Sequence, residues 1–172
     1  MQMLNYYFSP FALFLVLSAV YFRGSDTPGT LAPEVKHSLW ILAVSVVVNW
    51  WVSSHTYRFV GWTRFMRSIQ VWMNYVWTVP LFYLLGAFWG PMWLLFVMAP
   101  VTAALTMRWW TTLLTSLVSS GTMMAIYVFR GVTPEMPEAF GMALVHATFI
   151  VVLSMFVHAL AQTAMRLVAA KH

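Results

Sequence analysis

The sequence predicts an all-α fold, a polytopic membrane bundle of six transmembrane helices with both termini cytoplasmic. Three observations carry that prediction. Forty residues, Ser68 to Met107, pass without one charged side chain. Of 172 residues, 62% are hydrophobic and only 8% are charged, too little charge to clothe a water-soluble domain. The only four acids, Asp26, Glu34, Glu135 and Glu138, fall in two short stretches between apolar segments. Backbone groups in hydrocarbon must be satisfied within a helix or a closed barrel, and the alternating segments of about ten residues that a barrel needs are missing.

The elements follow in order. The first span is Leu4–Phe22. Met1 to Phe8 carries no Lys or Arg and no small-x-small site follows Ser18–Tyr21, so a retained helix is expected in place of a cleaved signal. The second is Ser38–Ser53. The third, Ile69–Trp89, is interrupted by Pro80, and Gly86 to Gly90 matches GxxxG, a close-packing pattern. Gly90-Pro91 predicts a tight outer turn, with proline opening the fourth helix, Pro91–Met107, which Pro100 kinks. The fifth is Thr111–Phe129. The sixth, Ala139–Leu167, would run ~43 Å, longer than the hydrocarbon core of about 30 Å. Its end therefore emerges into the cytoplasm, either because Arg166 and Lys171 snorkel or because the helix continues as an output element. Arg23–Lys36 and Arg130–Glu138 read as short loops. No repeat or linker divides the chain, so residues 1–172 are expected to form a single domain.

Charge sets the direction. With the second-to-third loop in the cytoplasm, Arg58, Arg64, Arg67, Arg108, Arg166 and Lys171 lie inside without an acid among them. Arg23, Lys36 and Arg130 lie outside with all four acids. This is the positive-inside asymmetry of a multi-pass inner (plasma) membrane protein. Trp50, Trp51, Trp109 and Trp110 fall at inner helix ends and Trp89 and Trp93 at the outer side, as indoles favour the interface.

Several chemistries are disfavoured. The pI near 9.9 does not signal nucleic acid, because the basic residues flank apolar segments. There is no cysteine, hence no disulfide or thiol nucleophile. No Asp, Glu, Lys or Arg lies deep in a span, which speaks against an ion-coupled pump, a carboxylate-bridged metal centre and a retinal Schiff base. No glycine run resembles a selectivity filter. His146 and His158 are twelve residues apart, about 120° round a helix, and cannot share one ligand. Only His55 is roughly level with His158, so haem ligation is disfavoured. No metal or cofactor is expected. Ser119-Ser120-Gly121 with His146 suggests an intramembrane serine–histidine dyad, but no oxyanion donors are identifiable and small residues at a helix contact explain the serines equally well. No catalytic signature emerges.

The candidate site is a polar and aromatic cluster within the spans: Asn49, Asn74, Trp77 and Thr78, with His146 as a further candidate. Asn49 and Asn74 fall in the inner third of adjacent antiparallel helices, where an unpaired amide costs several kcal/mol. An interhelical hydrogen bond is the simplest reading. Trp77, too deep to anchor at the interface, turns the cluster into a candidate pocket under the Pro80 kink. With no charge available, its ligand should be a neutral or lipophilic small molecule. On the fifth and sixth helices, His146 is expected to share a buried polar layer with Ser120 or Thr122.

Trp72–Tyr127, beginning WMNYVWTVPLFYLLGAFWGPMWLLFVMAP, resembles the six-helix transmembrane input domain of quorum-sensing membrane histidine kinases. The likeness lies in an aromatic-rich third helix, a proline followed by aromatics and a short outer turn containing Trp. It covers about a third of the chain and implies a bundle that binds a small lipophilic signal, its sixth helix leading towards a kinase. No phosphoacceptor-histidine motif or ATP-binding region occurs up to His172, so the resemblance implies an isolated input domain. Three readings thus stand side by side: a non-enzymatic sensor or receptor, a structural subunit of a larger membrane complex, and a substrate-binding component of a small-molecule importer. The expected partners are the lipid bilayer, a small ligand, and a homodimer mate or larger complex.

Overall fold

The computed structural model describes residues 2–24, 33–55, 63–86 and 90–170, with side chains described at 10–22, 33–51, 72, 73, 75–86 and 90–170. The Arg58 loop, Asp26, Trp89, Lys171 and His172 lie outside the described residues, as do the side chains of Arg23, His55, Arg64, Arg67 and Asn74. Among the described residues the chain is all-α, six helices without a strand. They are α1 (Gln2–Gly24), α2 (Pro33–His55), α3 (Thr63–Leu85), α4 (Leu95–Thr106), α5 (Trp109–Phe129) and α6 (Pro137–Ala169), with a 3-10 turn, Gly90–Leu94, before α4.

Three boundaries moved from expectation, each for a local reason. α2 starts five residues early, at Pro33, where proline fits the first turn and Glu34 meets the positive helix end. α3 starts six residues early, at Thr63, because basic Arg64 and Arg67 are compatible with helix even though they are not apolar. Gly90-Pro91 opens a 3-10 turn, and α4 proper begins at Leu95. The GxxxG pattern makes no helix face, since Gly86 follows the end of α3 and Gly90 opens the turn. A Cβ at Gly86 would fall 2.6 Å from the Phe82 carbonyl oxygen and 2.8 Å from its ring, whereas at Gly90 it would meet nothing within 4 Å. Gly86 thus serves the close return of its own helix.

The chain divides into two compact units, Met1–Leu95 and Phe96–His172. In the first, α2 packs on α1 and on α3, and the 3-10 turn touches α1 and α3. Val16, Val35, Phe82, Leu85 and Met92 are among its most deeply buried apolar side chains. In the second, α5 lies along α6. The α5 helix closes with a Schellman turn: the Val132 N–H donates to the Tyr127 carbonyl and the Gly131 N–H to that of Val128. That geometry needs the left-handed φ of 85° found at Gly131. Pro137 then opens α6 at its first turn.

The second unit wears its chemistry inside out. Thr112, Thr115, Ser116, Ser119, Ser120, Met123 and Ile126 form the buried stripe of α5, while Leu114, Leu117, Val128 and Phe129 are exposed. On α6, Ala143, Ile150, Ser154 and His158 are buried, and Met142, Val145, Phe149, Val152, Phe156 and Leu160 are exposed. Water would oppose that arrangement at roughly 25 cal/mol for each Å² of apolar surface, whereas hydrocarbon accepts it. Accordingly, two helices among the described residues, Trp109–Phe129 and Pro137–Ala169, are long and apolar enough to cross a membrane. Shorter apolar stretches occupy Pro10–Phe22, Tyr75–Leu85 and Gly90–Thr106.

Candidate functional site

Pro80 sits inside α3 and cannot donate to the carbonyl of Val76, four residues back, so the helix is weakened just beyond the predicted cluster. Thr78 and Tyr75 face inward, each 7% exposed, and the Tyr75 ring lies 5.7 Å from that of Trp72 at a tilt of 44°. Trp77 is half-buried. Its indole Nε1 is fully enclosed and has no hydrogen-bond partner among the described residues. Asn49 is half-buried on α2, the helix that packs on α3. Among the described residues no hydrogen bond joins Asn49 to Trp77 or Thr78. The Asn74 side chain lies outside the described set. An enclosed N–H without an acceptor costs about 1–3 kcal/mol, so Trp77 would gain from an added acceptor.

His146 belongs to the other unit, half-buried on α6. The predicted polar layer is differently wired. Ser120 donates from Oγ to the Ala147 carbonyl at 2.8 Å, and Thr122 donates back along α5 to Val118 at 2.7 Å. Ser119 donates to the Phe96 carbonyl at 2.6 Å. Each proton that a serine nucleophile would hand to a base is thus committed to the main chain, which removes the geometric basis for a serine–histidine dyad.

The Ser119 bond, and a second one from His158, repair defects that the sequence itself creates. Pro100 lacks an N–H, so within α4 the Phe96 carbonyl loses its donor, and Ser119 replaces it. α4 stops at Thr106 and the Met107 N–H goes to Ala103, which leaves the Ala104 carbonyl without a main-chain donor. His158, 7% exposed, supplies one through Nδ1 at 2.9 Å. A carbonyl can only accept, so Nδ1 carries a proton. The sequence favours a hydrogen-bonded histidine inside the bundle over a haem ligand, and His158 is one, although its spacing does not name the partner. The signal for its real role was the end of the short α4 helix, whose last carbonyls must find donors.

Among the described residues no three metal-ligating side chains gather. No family model, curated protein or solved structure matches this chain. Fold and site together define an all-α protein with two membrane-crossing candidates, a hydroxyl-lined seam in one unit and an unsatisfied indole in the other.

Proposed function

We propose that this chain is a six-span protein of the inner (plasma) membrane, both termini cytoplasmic, and that its Met1–Leu95 unit binds a neutral, largely apolar small molecule as a sensor-type input domain. The enclosed Nε1 of Trp77 carries the ligand reading. A carbonyl, ether or hydroxyl oxygen would satisfy it, and Thr78 and Asn49 offer further orienting groups. Trp77, Thr78 and Asn49 carry no charge to stabilise one, so an ionic ligand held by them would be desolvated without compensation. The six-span reading draws support from large apolar side chains exposed on the remaining long helices, Phe14 on α1, Trp40, Val47 and Trp50 on α2, and Val76 and Tyr83 on α3. No step of chemistry is required of the site.

Native mass spectrometry of the detergent-purified chain tests the ligand reading. The wild type should carry a small-molecule adduct. Trp77→Phe, which keeps a ring and deletes the N–H, should lower its occupancy about tenfold, the weight of one hydrogen bond. A wild type without adduct, or an adduct indifferent to Trp77→Phe, would sink the proposal. A copurifying polypeptide in its place would favour the structural-subunit reading. Topology is tested separately in a chain with no native cysteine. Single cysteines at Thr27 and Thr133 should react with an impermeant maleimide in intact cells, and one at Ser54 should not. The reverse pattern would invert the orientation.

A further inference from the structure

Lys36, Leu39, Trp40 and Ala43 line an open groove of about 330 Å³. Their spacing places all four on one stripe of α2, two turns long, with the cation at one end and apolar side chains beyond it. Lys36 is exposed and forms neither an ion pair nor a hydrogen bond among the described residues. Glu34, the other charge in that first turn, is two positions away, about 200° round the helix, and so lies off the stripe. His37 is tied back, its Nδ1 donating to the Pro33 carbonyl at 2.6 Å. Trp40 is 73% exposed, which leaves its ring open along the groove.

A lone ammonium over an apolar slot selects an amphiphile. A small anion would leave the Leu39–Ala43 floor uncovered. A lipid without an anionic group would cover the floor but leave the ammonium uncompensated, and a zwitterionic one would bring its own cation beside Lys36. A molecule with an anionic head and a hydrocarbon tail satisfies both ends, and an indole beside the cation suits the glycerol level, where one edge is wet and the body apolar. We propose that this stripe of α2 is a binding site for one anionic glycerophospholipid, its phosphate on Lys36, its backbone against Trp40 and one acyl chain over Leu39 and Ala43. The site is independent of the Trp77 site and stands or falls without it.

The test titrates the full chain, purified in detergent, with palmitoyl-oleoyl-phosphatidylglycerol or the matched phosphatidylcholine and counts retained lipid by native mass spectrometry. The wild type should prefer the anionic lipid roughly fivefold, the weight of one basic residue at an anionic surface. Lys36→Ala should erase the preference and Lys36→Arg should keep it. Ala43→Trp, which fills the floor, should reduce retention of both lipids. Because Lys36 is exposed, its variants should melt like the wild type, which separates lost binding from lost fold. A preference that survives Lys36→Ala overturns the site. Displacement of the lipid by millimolar inorganic phosphate would reduce it to a bare anion contact, and oleate binding as well as phosphatidylglycerol would show that no phosphate is read; either result also refutes the proposal.

Discussion

In Phe96–His172, Ser119, His158 and Ser120 cross from one helix to another, and each ends on a main-chain carbonyl. Ser119 reaches Phe96, His158 reaches Ala104, and Ser120 adds a second bond to Ala147. In Met1–Leu95 the buried hydroxyls of Ser38 and Ser45 stay on their own helix, bonded to Glu34 and Leu42, and the Trp77 N–H is left over. Its largest fully buried side chains, Phe82, Leu85 and Met92, are apolar, and Ser38 is buried as completely. The contrast teaches where each unit keeps its specificity. A seam of hydroxyls and carbonyls fixes depth and rotation of α5 and α6, because each bond has one geometry. A core of large apolar groups fixes volume, tolerates adjustment, and can leave a polar atom waiting for an outside partner.

Substitutions probe the two units separately. The largest effect should come from Phe82→Ala in the apolar unit. It empties a fully buried position and should lower unfolding free energy by about 3–5 kcal/mol, read from denaturant titration in mixed micelles. A loss below about 1 kcal/mol would mean that the unit collapses around the void and has no defined core. His158→Leu comes next. It strands the Ala104 carbonyl and should cost about 1–3 kcal/mol by the same measurement. An unchanged curve would show that another donor reaches that carbonyl.

A smaller effect isolates the proline defect. Ser119→Ala should cost roughly 0.6–1.7 kcal/mol, the range of hydrogen bonds between membrane helices. In a Pro100→Ala background, where the residue 100 N–H can serve Phe96, the same change should cost only a few tenths. Equal costs in the two backgrounds would uncouple serine from proline. The smallest effect belongs to Trp77→Phe. It removes an unsatisfied group, so the thermal midpoint without ligand should stay level or rise slightly, while a polar group already satisfied would make it fall.

The sequence was most legible where apolar length and punctuation agree. α5 and α6 were expected at Thr111–Phe129 and Ala139–Leu167 and lie at Trp109–Phe129 and Pro137–Ala169, because long apolar runs bounded by Arg108, Arg130 and Pro137 leave few choices. Gly131 sat in plain view inside an expected loop, but its role depends on φ, which composition does not report. The hydroxyl stripe was visible as small residues at a helix contact. Which carbonyls it serves was not, since that depends on where α4 ends and how α5 turns against its neighbours. The candidate site divided similarly. Thr78 and Trp77 were singled out by depth and residue type, whereas the unpartnered state of Nε1 is a property of surroundings that one-dimensional spacing cannot supply.

The last stretch of α6 has a mechanical meaning. From Thr163 to Ala170 every residue is exposed, yet the helix continues through Ala169. Such a segment transmits rotation. Anything grafted onto it, a fluorescent reporter included, inherits an angular phase, because each residue inserted turns the graft by about 100° and advances it about 1.5 Å. Adding two residues would swing a reporter to nearly the opposite side of the shaft, and adding seven would bring it back close to its first bearing. A ladder of reporters with one to seven added alanines would therefore work as a protractor for this helix, reading its orientation in steps of about 100°.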